Sequence, residues 1–389
     1  MQIVHLPKEQ WKGRVVPIGY TSGTYYDVRL RSDSAGFRAD FLLRQAEEPI
    51  VHTPEEYNYP DKLYADYWKN AYAWGVVEGD ALLAAIETCP EEWSNRLRVT
   101  ELWVHPKLQK QGLGHRLMAL AKEQARRERR RAVILETQSC NVNAIGFYLH
   151  EGFTLIGFDA CCYSNADPAR REVRLEMGWL REKPPVFGAE ELVIRPERPE
   201  DYAAAEAMTC RAFWNKYQPG CDEHYLVHKL RNDPAYVPEL SRVAVVDGRV
   251  VGAVYYSRAV VRGPLGEQEV LTFGPLCVEP DCQGRGVGAR LLQETLALAK
   301  KAGWPGVVIY GEEDYYPRLG FVPCQQFGIT TPDGENFPAF MGYELTPGGL
   351  QPGAFDVAPV FSQLDGPDRD AYDRTLPPME KQHFPGQWE

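Results

Sequence analysis

The sequence contains no Cys-x-x-Cys pair, and its nine cysteines are an odd number. That excludes a disulfide framework or a zinc ribbon and reads as the reduced thiols of a cytoplasmic protein. No apolar run approaches the ~20 residues a bilayer-spanning helix needs, and residues 1–10 lack the apolar stretch of a secretory leader. No membrane partner is therefore expected. Positive charge is scarce in the second half. Residues 1–185 balance 25 Lys and Arg against 25 Asp and Glu, so the whole formal charge of −11 falls on the remainder. An acidic half argues against nucleic acid as a partner; it serves solubility and tolerates a cationic substrate. The one basic run, Arg126-Arg127-Glu128-Arg129-Arg130-Arg131, falls at an expected helix C-terminus, where cations complement the helix dipole.

Two glycine-rich loops are present. Residues 97–104 form a β-branched, apolar run ending at Trp103-Val104, and a helix-forming stretch follows from His115-Arg116. Between them lies Gln109-Lys110-Gln111-Gly112-Leu113-Gly114. The arrangement recurs: a strand ending at Val278 precedes Gln283-Gly284-Arg285-Gly286-Val287-Gly288, and Ala289-Arg290 opens the next helix. Both loops read Gln-x-x-Gly-x-Gly, and both begin five residues after the strand's last valine, so the chain carries an internal duplication. Glycines let the backbone approach a ligand, and the unpaired N–H groups of a helix start hold phosphate or pyrophosphate. Neither loop has the Gly-Lys-Ser/Thr of a Walker A site, and neither has the Gly-x-Gly-x-x-Gly spacing of a dinucleotide-binding unit.

Downstream of each loop stands Tyr-x-x-x-Gly-Phe: Tyr148 to Gly152-Phe153, and Tyr316 to Gly320-Phe321. Loop and junction together resemble the acyl-CoA-binding motifs of the GNAT N-acetyltransferase superfamily, once per half. The first half, through Leu135-Glu136-Thr137-Gln138, Asn143-Ala144, Phe147-Tyr148 and Asp159-Ala160-Cys161-Cys162-Tyr163-Ser164-Asn165, resembles the streptothricin acetyltransferases, which acetylate the β-lysine amine of a cationic antibiotic. The second, through Phe273-Gly274-Pro275-Leu276-Cys277-Val278 and Tyr315-Tyr316, resembles bacterial predicted N-acetyltransferases.

The resemblance implies an α/β (α+β) architecture of two GNAT folds, each a mixed, mostly antiparallel twisted sheet flanked by helices. Expected bounds are 1–183 and 190–345, joined through the Pro-Pro linker at 181–188, with a Pro/Gly-rich C-terminal extension over 346–389 in which 357–361 is an ordered piece. Hairpins are expected at 71–78 with 80–88 and at 242–247 with 249–256, helices at 112–129, 141–150 and up to Lys301, and short strands at 25–30 and 37–43. Aromatics gather over 57–74 and serve either a core or an acceptor pocket. His224 and His228, four apart beside Cys221, have a spacing that can ligate metal; with no third ligand evident, no metal is expected.

The roles implied are direct acyl transfer from acetyl-CoA to a small-molecule amine. Trp103 and Val104 lie where two strands splay and backbone groups polarise the thioester; Gln109 to Arg116 take the pyrophosphate, with Asn143 a further contact. Tyr148 protonates the leaving thiolate, and Glu101 serves as base or amine anchor. In the second half Val278, Gln283 to Arg290 and Tyr316 take the matching places, but Pro275 replaces the glutamate. A CoA-binding or structural protein without turnover, and an acetyltransferase acting on protein amines, remain the alternatives; the chain is a monomer (an internal pseudo-dimer) or a homodimer.

Overall fold

The computed structural model describes residues 1–55, 60–181 and 185–387. Tyr57 and Tyr59 of the aromatic stretch, and Glu182 to Pro184 of the linker, lie outside the described residues. The chain divides into two units, Met1–Glu182 with His383–Pro385, and Lys183–Gln382 with Gly386–Glu389.

In the first unit β1 (Val4–His5), α1 (Lys8–Trp11), β2 (Tyr20–Asp33), β3 (Gly36–His52), β4 (Tyr72–Glu78), β5 (Ala81–Glu91) and β6 (Arg96–Val104) lead to α2 (Leu113–Arg127). Then come β7 (Ala132–Gln138), α3 (Val142–His150), β8 (Thr154–Asp159), α4 (Asp167–Arg170) and β9 (Arg174–Leu180). Seven strands form one sheet in the order β1-β4-β5-β6-β7-β9-β8, antiparallel except for β6 with β7. A crossover through α2 joins those two, as a parallel pair requires. Helix α2 buries one stripe, Leu113, Leu117, Met118, Ala121 and Ala125, against Trp74, Ile86, Leu97, Val133 and Leu135 of the sheet. Phe384 completes this core, edge-on to Trp74 at 5.5 Å.

Where the sequence suggests two short strands, the structure has one long two-stranded ribbon, β2 with β3, outside the main sheet. It is anchored along its base: Val28 packs with Ile145, Val173 and Leu175, the Tyr26 amide donates to the Ser139 carbonyl at 2.9 Å, and Tyr20 and His52 contact Cys140 Sγ at 3.3 and 3.6 Å. The far end is free of that core, with Phe37 93% exposed.

The second unit repeats the plan with β10 (Val193–Pro196), α5 (Tyr202–Phe213), α6 (Glu223–Leu230), β11 (Arg242–Val246), β12 (Arg249–Gly263), β13 (Gly266–Val278), α7 (Val287–Lys301) and β14 (Gly306–Tyr310). Its sheet runs β10-β11-β12-β13-β14-β17-β15, where β15 is Val322–Pro323 and β17 is Phe340–Glu344. β13 and β14 are the parallel pair. The third region expected from composition is largely built into this unit. β16 (Ile329–Thr330) pairs with β18 (Gly353–Val357), which also lines β12 from Ala259 to Arg262, and α8 (Pro367–Asp373) follows. The Pro and Gly that suggested an extension punctuate short elements; Phe355, fully buried beside Phe340, anchors them.

Candidate active site

In the first unit the parallel ladder between β6 and β7 stops at Arg98, opposite Ile134. From there to Val104, β6 has only β5 as a partner, so one backbone edge faces the gap between the diverging strands. A bulge between Glu87 and Thr88 lets two β5 residues face three of β6, with Thr100 the extra residue. Glu101 then stands opposite Glu87.

The glycine loop closes this gap at one end. The Gln109 amide donates to the Val104 carbonyl at 3.1 Å and ties the loop to the strand. Lys110 and Gly112 take left-handed conformations, φ 61° and 78°. The first backbone bond of the helix runs from Arg116 N to Gly112 O, 3.1 Å, so the N–H groups of Gln111, Gly112, Leu113, Gly114 and His115 have no acceptor among the described residues. A Cβ at Gly112 would meet nothing within 4 Å, while one at Gly114 would touch the Phe147 ring at 3.4 Å. This row of donors at the positive end of a 15-residue helix fits a pyrophosphate. Leu113 is the buried anchor of the turn; His115 is held by Glu151 at 2.8 Å, and Arg116 donates to the Met1 carbonyl at 2.9 Å. Val104 borders the α2 core, whereas Trp103 packs on the opposite sheet face with Leu6, Leu82 and Ala85.

Two largely buried side chains near the divergence have no hydrogen-bond partner among the described residues. Tyr148, on α3, is 9% exposed and its ring packs on Phe147 and Phe153. Burial first and the Glu101 charge second push its hydroxyl up to about 12. Glu101 is 7% exposed. Burial holds its carboxyl well above the usual carboxylate range, and Asp61, Glu87 and Glu136 push the same way. Glu87 is itself raised by burial, against hydrogen bonds from the Tyr64 amide and, at 2.8 Å, the Thr100 hydroxyl. Tyr67 is exposed and is raised by burial and by Glu101, which puts it on the same acidic rim. An unpaired carboxylate in acidic surroundings is suited to take a proton from, or to anchor, an ammonium group.

Glu101, Tyr148 and, within the aromatic stretch 57–74, Tyr67 are legible in the sequence, whereas Asp61 and Glu87 are not; the hairpin register points to Glu87, but the bulge breaks the count. Asn143 is exposed at the start of α3, while Asn141 caps that helix, accepting from the Ala144 amide at 3.2 Å. His224 and His228 do not converge: His228 turns to Glu206 at 3.2 Å, and His224 to Cys221 at 3.3 Å.

The second unit keeps part of this plan. Gln283 donates to the Val278 carbonyl at 3.2 Å, as Gln109 does to Val104. Gly284 and Gly286 are left-handed, and Arg290 N to Gly286 O, 3.1 Å, is again the first helical bond. Val287 is the buried anchor, at the place of Leu113. The strands diverge sooner, sharing only the Leu271–Val307 pair. Here, however, the unit's own segment 185–192 lies on the loop. The Arg285 guanidinium stacks 3.4 Å from the Phe187 ring centroid and donates to the Pro185 carbonyl, and the Arg285 carbonyl accepts from the Phe187 amide. A Cβ on Gly286 would come within 2.9 Å of Val186. Arg290 donates to the carbonyls of Gly188 and Leu192, leaving Ala289 between two tethered arginines. The Tyr315 hydroxyl occupies the space a Cβ on Gly288 would need, 2.6 Å away. Tyr316 caps no helix like α3; it begins a 3-10 turn and is a core residue against Phe273 and Phe321.

Family models match both halves: "Acetyltransferase (GNAT) family" over 41–153 and "Acetyltransferase (GNAT) domain" over 239–323. An uncharacterized N-acetyltransferase of Escherichia coli, YjhQ, is 36% identical over 99 residues, covering 25% of this chain and 55% of the relative; the chain thus spans about half the length of that protein. Among solved structures, a GNAT family acetyltransferase from Brucella melitensis in complex with acetyl-CoA is 30% identical and covers 44% of this chain and 97% of its own, at a TM-score of 0.35. A nourseothricin acetyltransferase is 23% identical, covering 46% and 97%, at a TM-score of 0.36.

Proposed function

Because the chain belongs to the GNAT acetyltransferase family, matched once in each half, we propose that it transfers an acetyl group from acetyl-CoA to a primary amine of a small cationic acceptor, and that the first unit carries the chemistry. The charge of Glu101 acting on Tyr148, both side chains largely buried and without hydrogen-bond partners among the described residues, carries this reading. The unpaired N–H groups from Gln111 to His115 hold the pyrophosphate. The open edge of β6 before Val104 orients the thioester and polarises its carbonyl. Glu101 takes the proton that the attacking amine loses, directly or through water. The nitrogen–carbon bond forms, the carbon–sulfur bond breaks, and the Tyr148 hydroxyl donates to the departing sulfur. Asp61 and Glu87, the charges beside Glu101 that no arginine among the described residues pairs, favour a cationic acceptor, in line with the streptothricin-acetyltransferase motifs of this half.

For the second unit a structural role without turnover is favoured by one observation, the lie of segment 185–192 on its loop. The test is thiol release from acetyl-CoA against lysine-like amines, polyamines, aminoglycosides and streptothricin, with mass analysis of the products. An N-acetylated amine is expected. Acetyl-CoA binding without release in any arm would leave a binding protein; products acylated only on oxygen or sulfur would refute the amine assignment.

A further inference from the structure

Helices α5 and α6 and the later α8 meet at a buried cluster outside the acyl-transfer machinery. Cys210 lies in the last turn of α5, Cys221 just before α6, and His224 in the first turn of α6. They are 4%, 2% and 0% exposed, and one donor atom from each lies within 4.8 Å of the other two. Cys221 Sγ is 3.3 Å from His224 Nδ1. In a tetrahedral site with arms of roughly 2.3 Å to sulfur and 2.0 Å to nitrogen, that edge would be about 3.5 Å, so the pair needs to move only by tenths of an ångström. The other ring nitrogen, Nε2, is 2.7 Å from Asp373 Oδ1 on α8. A carboxylate there accepts the Nε2 proton and turns the Nδ1 lone pair toward the thiols, the outer-sphere arrangement that orients metal-binding histidines. Arg369 on α8 fixes the same corner, donating to the Cys221 carbonyl at 2.8 Å.

We propose that Cys210, Cys221 and His224 bind one thiophilic d10 cation, Zn2+ or Cu+, with Asp373 as its outer carboxylate. Two sulfurs and one imidazole in a dry cluster select soft or borderline ions over Mg2+ or Ca2+. Both thiols deprotonate on binding and release their protons to solvent; nothing is oxidised. Cu+ is satisfied by the three donors, whereas Zn2+ needs a fourth, so a water has to enter the cluster with the ion. The ion clamps α5 to α6, and through His224 and Asp373 it secures α8.

The test is elemental analysis of the full chain, purified under reducing conditions, after exposure to Zn2+ or, anaerobically, to Cu+. The wild type should retain one ion per chain, and which ion is retained identifies the metal. Cys210→Ser and Cys221→Ser should each lose it. Asp373→Asn, which leaves all three donors, should weaken binding by roughly 10–100-fold. Two wild-type readouts stand if the serine variants fail to fold: Co2+ should give a thiolate charge-transfer band, and two buried thiols should become reactive only after chelation. Retention of no ion, a Co2+ spectrum without that band, recovery of Cys210 and Cys221 as a disulfide, or undiminished metal in both serine variants would each overturn the assignment.

Discussion

Tyr148→Phe removes one oxygen from a site whose geometry bounds the effect. The side chain is 9% exposed, its hydroxyl has no hydrogen-bond partner among the described residues, and burial and Glu101 push it up to about 12. Removing it orphans no other described group, so folding stability should change little. General-acid assistance is typically worth 10²–10⁴-fold. A phenol at about 12 is a weaker acid than an ordinary thiol near ~8.5, so complete proton transfer to the leaving sulfur is uphill. The hydroxyl therefore contributes mainly a hydrogen bond to the developing thiolate, and the expected loss in kcat lies at the low end, about 10²-fold or roughly 2.7 kcal/mol. The phenol stays protonated below its raised value, so the wild-type profile should show no downturn from this group until far into the alkaline range. The assay is thiol release with the amine found by the acceptor screen, run across pH, with acetyl-CoA affinity followed by calorimetry. An unchanged kcat in Tyr148→Phe with a large loss in Tyr316→Phe would refute the reasoning and move the chemistry to the second unit.

Glu101→Gln should lower kcat and abolish the acid limb of the wild-type profile, which should lie above the ordinary carboxylate range because Glu101 must lose its proton and is raised. The same raised value means that the wild-type fold loses stability as pH rises through it. Thermal scans should therefore show Glu101→Gln gaining on the wild type at neutral pH and not below pH ~4; an equal difference at both would contradict the burial argument. Glu87→Gln removes one repelling charge from Glu101, so the acid limb should move to lower pH, and an upward move would show that Glu87 does not act by charge. Calorimetry should find one tight acetyl-CoA site per chain, weakened by Gly114→Glu and indifferent to Gly288→Glu; the converse ranking would show that segment 185–192 does not obstruct the second loop.

Much of the fold was legible because the duplication repeats a strand, a loop and a helix whose periodicities are strong. The β2–β3 ribbon was not, because Val28 is its one buried apolar side chain, and adjacent Leu42 and Leu43 are both exposed, so no alternation marks its length. The cluster at His224 was half visible, since Cys221 is three residues away in sequence. Cys210 reaches it only through the packing of α5 on α6, and no spacing rule announces such a contact. Residues 181–188 read from Pro184-Pro185 and Gly188 as a linker; that Phe187 within them is a core residue beneath Arg285 is a tertiary fact.

The two halves argue best when compared with each other. Both keep the glutamine that ties loop to strand and the unpaired donors at the helix start, features that shape a phosphate site whether or not turnover follows. They part at the positions that move protons. Glu101 is unpaired and electrostatically strained, and Pro275 at the matching place has no ionisable group. Tyr148 sits on a helix with an unengaged hydroxyl beside a carboxylate, whereas Tyr316 begins a 3-10 turn, and Tyr315 fills the space beside Gly288. A buried carboxylate without a partner weakens the fold wherever it stands. Its presence in one half and its replacement by a non-titrating residue in the other are what a division between catalysis and support would produce.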